Sequence, residues 1–138
     1  MIDEYKVPEG YHFTKEHEWV RRTGGQMAKI GITDYAARML HDIVYVTLPS
    51  EGTFLNAKEV FGQVESVKTV SDVYMPVSGM ILRANQELTK TPESVSNSPY
   101  EDGWMLEVEG TNIDMEIGQL LDSNSYRKYI KELKDSES

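Results

Sequence analysis

The sequence predicts a mainly β fold of two small sheets, with short helices and an amphipathic helix near the C-terminus. Three observations predict it. Short runs rich in β-branched and aromatic residues recur along the chain, each closed by Gly or Pro. The pattern Val-x-apolar-Pro-x-x-Gly occurs twice, at residues 46–52 and 73–79, as if two half-sheets were related by a pseudo-twofold. Towards the C-terminus the apolar period changes from strand to helix spacing. A length of 138 residues suits one domain, residues 1–138 with an ordered core over about 13–134.

The first strand is expected from Phe13 through Glu18, Trp19 and Val20, before a turn at Thr23, Gly24 and Gly25. A return strand follows over 26–32. Thr33 then opens a short helix, because its hydroxyl can accept from the first turn, Asp34 suits the positive end, and Ala36, Met39 and Leu40 share one face. It stops at His41 or Asp42.

Strands are expected over 43–48, 59–66, 70–75 and 80–85, with Pro49, Gly52, Pro76 and Gly79 marking turns. Residues 86–103 hold Pro92 and Pro99 among small polar and acidic residues, which predicts a surface excursion with at most one helical turn. Residues 104–108 return to the sheet. Tyr126, Tyr129, Ile130 and Leu133 form one helical stripe, with Ser123 or Ser125 as N-cap and a frayed tail beyond Lys134.

Composition excludes several functions. With 14 basic against 23 acidic residues the net charge is -9, which disfavours nucleic acid and anionic membrane as partners. There is no cysteine, so thiolate catalysis, disulfides and cysteine-ligated metals are excluded. His12, His17 and His41 lack ligand spacing, so no metal site is expected. The charged first ten residues contain no apolar leader, and no run is long enough to span a membrane, which together predict a cytoplasmic protein. No nucleophile elbow or glycine-rich phosphate loop is present, and Trp19 and Trp104 fit a core better than a binding platform.

The residues that could carry chemistry lie between the two copies of the repeated pattern, in Val64-Glu65-Ser66-Val67-Lys68-Thr69-Val70-Ser71-Asp72-Val73. Lys68 sits where a tight turn joins two strands, with no basic neighbour. An exposed, flexible amine of this kind is open to acylation, although an ordinary solvated turn lysine would look the same.

Glu65-Ser66-Val67-Lys68, then Ser71-Asp72 and Pro76-Val77-Ser78-Gly79, resemble the lipoylation hairpin of the H protein of the glycine cleavage system. The likeness continues in His17-Glu18-Trp19-Val20, Gly31-Ile32-Thr33-Asp34-Tyr35-Ala36, Asp42-Ile43-Val44-Tyr45-Val46 and Pro99-Tyr100-Glu101-Asp102-Gly103-Trp104. It spans about residues 13–129. Biotin carriers share the acidic residue but usually flank their lysine with methionines, where Val67 and Thr69 stand here. The lipoyl domains of 2-oxoacid dehydrogenases are shorter and lack the His-Glu-Trp and Pro-Tyr-Glu-Asp-Gly-Trp blocks.

The resemblance implies a lipoyl-domain-like barrel-sandwich hybrid acting as a non-catalytic carrier. Lipoate on Lys68 would take an aminomethyl group from the P protein (glycine decarboxylase) to the T protein (aminomethyltransferase). The L protein (dihydrolipoyl dehydrogenase) would reoxidise it, and a lipoate ligase or lipoyl/octanoyl transferase would attach it. Glu65 would be read by that attaching enzyme; Glu18 and Asp72 are the candidates for a cleft that shelters a cationic cargo. A monomer is expected. An alternative is an H-like lipoate-binding protein serving sulfur oxidation or lipoyl relay to other acceptors, and an unmodified binding module is a further one.

Four positions depart from the family pattern. His41 stands where Gly is usual, Met75 replaces a small polar residue, and Ser94 and Ser96 replace an apolar residue and Asn. His41 gives the sulfur-oxidation alternative its weight, since histidine adopts a left-handed helix end less readily than glycine.

Overall fold

A computed structural model describes residues 5–137, so the first four residues of the charged N-terminal stretch lie outside it. The chain forms β1 (His12–Phe13), β2 (Glu18–Gly24), β3 (Met27–Ile32), α1 (Asp34–Leu40) and β4 (Ile43–Thr47). Then come β5 (Phe54–Leu55), β6 (Val60–Ser66), β7 (Val70–Tyr74) and β8 (Gly79–Ala84). After α2 (Glu87–Lys90), α3 (Ser94–Asn97) and β9 (Leu106–Gly110), the chain ends in α4 (Ile113–Gly118) and α5 (Ser123–Glu137).

The strands make two antiparallel sheets, one in the order β1-β2-β3-β9-β8-β5 and the other β4-β6-β7. The fold is therefore mixed α/β rather than mainly β, and the sheets are unequal. Strand pairing does not close into a barrel among the described residues. Pro49 and Pro76, which have no N–H to donate, end the small-sheet pairing where the chain leaves β4 for β5 and β7 for β8.

The repeated pattern thus does the same job twice. β4 and β7 flank β6 in the small sheet, and the strands that follow them, β5 and β8, pair with each other in the large one. The two glycines serve for different reasons. Gly52 has φ +87, open to glycine at little cost, whereas a Cβ on Gly79 would come within 2.7 Å of the Glu109 carbonyl across the sheet.

Between the sheets lies one apolar cluster that includes Val20, Ile30, Val46, Val64, Val73, Met75, Ile81 and Val108. Met75, polar in the family pattern, is buried there. A second cluster is aromatic and joins α5 to β1 and β2: Phe13 stacks on Tyr126 with centroids 4.5 Å apart, and Trp19 and Ile130 pack beside them. Such a ring pair adds about 1 kcal/mol beyond the area it buries. Val7 joins this cluster, and Tyr5 and Tyr11 pack against it.

Several expectations change. The strand over 13–20 is two strands, because the turn Thr14–His17 reverses the chain and places His17 at φ 76. The excursion over 86–103 contains two helical turns instead of one; the Trp19 indole N–H donates to the Pro99 carbonyl, and Asn85 Nδ2 donates to the carbonyls of Asp102 and Trp104. Neither serine caps α5. Asp122 Oδ1 accepts from Ser125 N, while Ser123 Oγ turns away to the Pro8 carbonyl, and the helix continues through Glu137. Trp104 is half-buried at the core's edge, where Trp19 is fully buried.

Thr33 caps α1 as expected, its hydroxyl accepting from Ala36 N. At the other end His41 holds φ 64 and ψ -132, and its N–H reaches the Ala37 carbonyl. The corner here is carried at positive φ by a residue with a Cβ. Strain of this kind costs about 1–3 kcal/mol, more than the roughly 0.4–1 kcal/mol that glycine loses through the unfolded chain. His41→Gly should raise the thermal midpoint by a few degrees in calorimetry; an unchanged or lower midpoint would refute strain at this position.

Candidate functional site

Lys68 occupies the tip of the β6–β7 hairpin, in a loop of only three residues, Val67, Lys68 and Thr69. Ser66 organises the loop. Its N–H donates to the Thr69 carbonyl at 2.8 Å, and its Oγ accepts from Lys68 N at 3.3 Å and Thr69 N at 3.2 Å. Val67 N donates to the Asp42 carbonyl, which ties the tip to the junction between α1 and β4. The backbone is pinned from two sides. The side chain is exposed and makes no hydrogen bond or ion pair with the other described residues.

Glu65 and Asp72 lie on the outer face of the small sheet. The register sets Tyr45, Glu65 and Val70 in one row and Thr47, Gln63 and Asp72 in the next. Both acids are exposed, and Asp72 Oδ1 accepts from Gln63 Nε2 at 3.0 Å. Val46, Val64 and Val73 point the other way, into the core.

Glu18 is somewhere else. It is buried at the start of β2, in the wall of a cavity of about 560 Å³ at the joint between the sheets, with Phe13, Thr14, Lys58, Tyr74 and Glu116 also in the lining. Thr14 Oγ1 donates to one carboxylate oxygen and Tyr74 N to the other, at 3.1 Å. One side chain so links the large sheet to the last residue of β7. Burial pushes its carboxyl up to about 7, although both hydrogen bonds pull in the opposite direction. Asp72 does not line the cavity. It stands on β7 between the tip and Tyr74, so Val70, Asp72 and Tyr74 form one outward stripe leading from Lys68 to the Glu18 cavity.

Sequence reasoning missed the partners of that cavity. Thr14 and Tyr74 were not singled out, nor was Glu116, whose oxygens accept from Ser78 N and Ser78 Oγ and so hold the turn after Pro76. Ser78 Oγ in turn accepts from Ala57 N. Thr14 four residues before Glu18 was the one local signal available. His17, next to Glu18, is a structural residue: its Nδ1 meets Tyr126 Oη at 2.9 Å, Tyr126 Oη meets Thr33 Oγ1 at 2.7 Å, and burial lowers the imidazole to about 4, so the ring is neutral. No group of side chains suited to a metal ion occurs among the described residues.

An exposed lysine on a pinned tip, with one stripe of β7 leading from it to a cavity that holds a buried carboxylate, fits a tethered carrier. A family model described as glycine cleavage H-protein matches residues 11–133. The chain belongs to the glycine cleavage H-protein family. A probable glycine cleavage system H protein of Pyrococcus furiosus is 42% identical over 132 residues, covering 96% of this chain and 98% of that one. The glycine cleavage system H protein of Mycobacterium tuberculosis is 43% identical over 131 residues, with 91% and 98% covered. A crystal structure of the H protein from Mycobacterium marinum superposes with a TM-score of 0.79 at 32% identity, over 93% of this chain and 99% of that one. As an H-protein family member the chain is a non-catalytic carrier of glycine cleavage. Among its described residues no helix is long and apolar enough to cross a membrane.

The Glu18 carboxyl makes stability depend on pH. Its folded value of about 7 lies above the ordinary 4.5, so the folded form binds more protons than the unfolded one between those values. Its contribution is full below pH 4.5 and is lost as pH rises through about 7. Urea unfolding should show a decline on the order of 2–3 kcal/mol across that window, and Glu18→Gln should flatten it. The same slope in the variant would assign it to other groups.

Proposed function

We propose that Lys68 is the lipoyl attachment point, and that the chain works as one carrier domain shuttling the aminomethyl group of glycine from the P protein to the T protein, with reoxidation by the L protein. The observation that carries this is the tip itself: a lysine whose backbone is fixed by Ser66 and Asp42 while its side chain is free. A fixed base and a mobile end raise the local concentration of a tethered group at each of several active sites. When bound, lipoate supplies a disulfide that accepts the aminomethyl group and two electrons' worth of reduction.

The chain's own residues supply the rest. Glu65, in the outer row nearest the tip, is offered to the enzyme that attaches lipoate. Glu18 places a carboxylate in the cavity at the end of the β7 stripe, where it would favour an ammonium group, and Asp72 lies on the way there as a second acid. A bound cation would lower the Glu18 carboxyl from about 7 and hold it ionised. Glycine cleavage is favoured over the sulfur-oxidation reading because the family model and the relatives that match are glycine cleavage H proteins.

Incubation with a lipoate ligase, ATP and lipoate should add the mass of one lipoyl group to the intact chain and none to Lys68→Arg. No gain, or an equal gain in the variant, would overturn the attachment site. The lipoylated chain should then support glycine decarboxylation and bicarbonate exchange with the P protein. Complete lipoylation without that activity would move the chain to another lipoate-dependent pathway.

A further inference from the structure

The outer face of the large sheet, on the far side of the core from the small sheet, carries two rows of side chains that the lysine arm and the Glu18 cavity leave unused. Cross-strand register places Arg21, Lys29, Glu107 and Arg83 in one row over β2, β3, β9 and β8. The next row is Met27, Glu109, Met80 and Phe54 over β3, β9, β8 and β5. Met27 is 37% exposed, Met80 44% and Phe54 46%, whereas Ala28, Ile30, Val108 and Ile81 from the same strands face the core. The rows lie about 7 Å apart along the strands, and Met27 to Phe54 spans about 14 Å across them.

Aromatic rings hold the cations in place. The Lys29 ammonium lies 5.0 Å and the Arg83 guanidinium 5.5 Å from the centre of the Trp104 ring, and the Arg21 guanidinium lies 5.9 Å from that of Tyr11. Arg83 Nε also donates to Glu107 Oε1 at 2.9 Å. Arg21 and Lys29 make no ion pair with the other described residues, and Arg21 Nε is buried without a hydrogen-bond partner. Arg21, Lys29 and Arg83 thus outnumber Glu107 and Glu109 on this face, in a chain with 14 basic and 23 acidic residues overall. Cations held in this way lose little side-chain freedom on meeting a carboxylate.

We infer that this face is a docking surface for an acidic segment of a partner protein, one that sets carboxylates on Arg21 and Lys29 and apolar side chains on Met80 and Phe54, and so holds the carrier while its lysine arm stays free. Charge selects that occupant. Two chains of net charge -9 repel, and a twofold would bring the same cations to both sides of the contact, so a second copy fits poorly. The same net charge opposes an anionic membrane. Glu109, between Met27 and Met80, repels acids from the apolar row and directs them to the row of cations. A small, mixed face suits a contact that forms and releases. Because the core separates it from the small sheet, Lys68 remains uncovered while the contact lasts. This rests on the proposed carrier role, whose P, T and L proteins are the partners to test.

The test is the Kd of the full lipoylated chain for the P, T and L proteins, each measured separately, comparing wild type, Arg21→Gln/Lys29→Gln, Met80→Ser/Phe54→Ser and Lys128→Gln/Lys131→Gln. The last pair is exposed on α5, outside both rows, and changes the net charge by the same amount as the first. We expect Kd for at least one of the three proteins to rise about tenfold in both sheet variants and less than about twofold in the α5 control. Weakening of that complex between about 50 and 500 mM salt should be shallower in Arg21→Gln/Lys29→Gln than in wild type and unchanged in Met80→Ser/Phe54→Ser, a difference that a damaged sheet would not produce. Either sheet variant reports alone if the other fails to fold. Lipoylation of Lys68 by a lipoate ligase should keep its wild-type rate in both. Unchanged Kd for all three proteins would overturn the inference alone, as would an equal rise in the α5 control. Self-association, or binding to phosphatidylglycerol vesicles, that the sheet variants lose would give the face to a second copy or to a membrane and overturn it too. Wild type that takes lipoate but supports no glycine decarboxylation with the P protein would overturn the carrier reading, and this inference with it.

Discussion

The structure depends on one carboxylate shared by two sheets. Glu18 belongs to β2 in the large sheet, yet one of its oxygens takes the N–H of Tyr74 at the end of β7 in the small one, and the other takes the Thr14 hydroxyl at the β1–β2 turn. Without such partners a buried carboxylate would destabilise the fold by several kcal/mol. With them it fixes the joint between the sheets, in the wall of the cavity that opens there. Proton affinity is the compromise: near neutral pH the group stands close to the midpoint of its titration.

Around this joint the acidic groups are sorted by environment. Glu18 is buried and strongly perturbed, whereas Glu65 and Asp72 are solvated on the outer face of the hairpin. β7 connects the two environments, its outward residues running from the tip to the cavity wall. The hairpin can therefore present its lysine to an outside protein and still lead back to a sheltered site on the same molecule.

Much of this was legible in the sequence where spacing is short. The β6–β7 hairpin, the Thr33 cap, the α5 stripe and the placement of Lys68 follow from local patterns, and the family blocks extended them over most of the chain. The unequal sheets did not follow, because β5 is two residues long and β1 is separated from β2 by a turn lacking glycine or proline. α2 and α3 begin after Gln86 and Glu93, which are not the usual start residues, and Asn112 before α4 makes no capping hydrogen bond. The cavity was harder still. Glu18 and Asp72 share a family position in the cleft, but they stand on different sheets and only Glu18 lines the cavity, where its neighbour on β7 is a backbone N–H that no side-chain pattern encodes.

The hydrogen bond from Val67 to Asp42 has a mechanical consequence. It anchors the tip to the α1–β4 corner, so the hairpin cannot swing away from that corner without breaking this hydrogen bond. Reach is then set by the lysine side chain and whatever is joined to it, counted from a stationary pivot. A partner must come to the rim of a fixed sphere, and the carrier measures out that distance in the way a drawing compass does, the same at every turn.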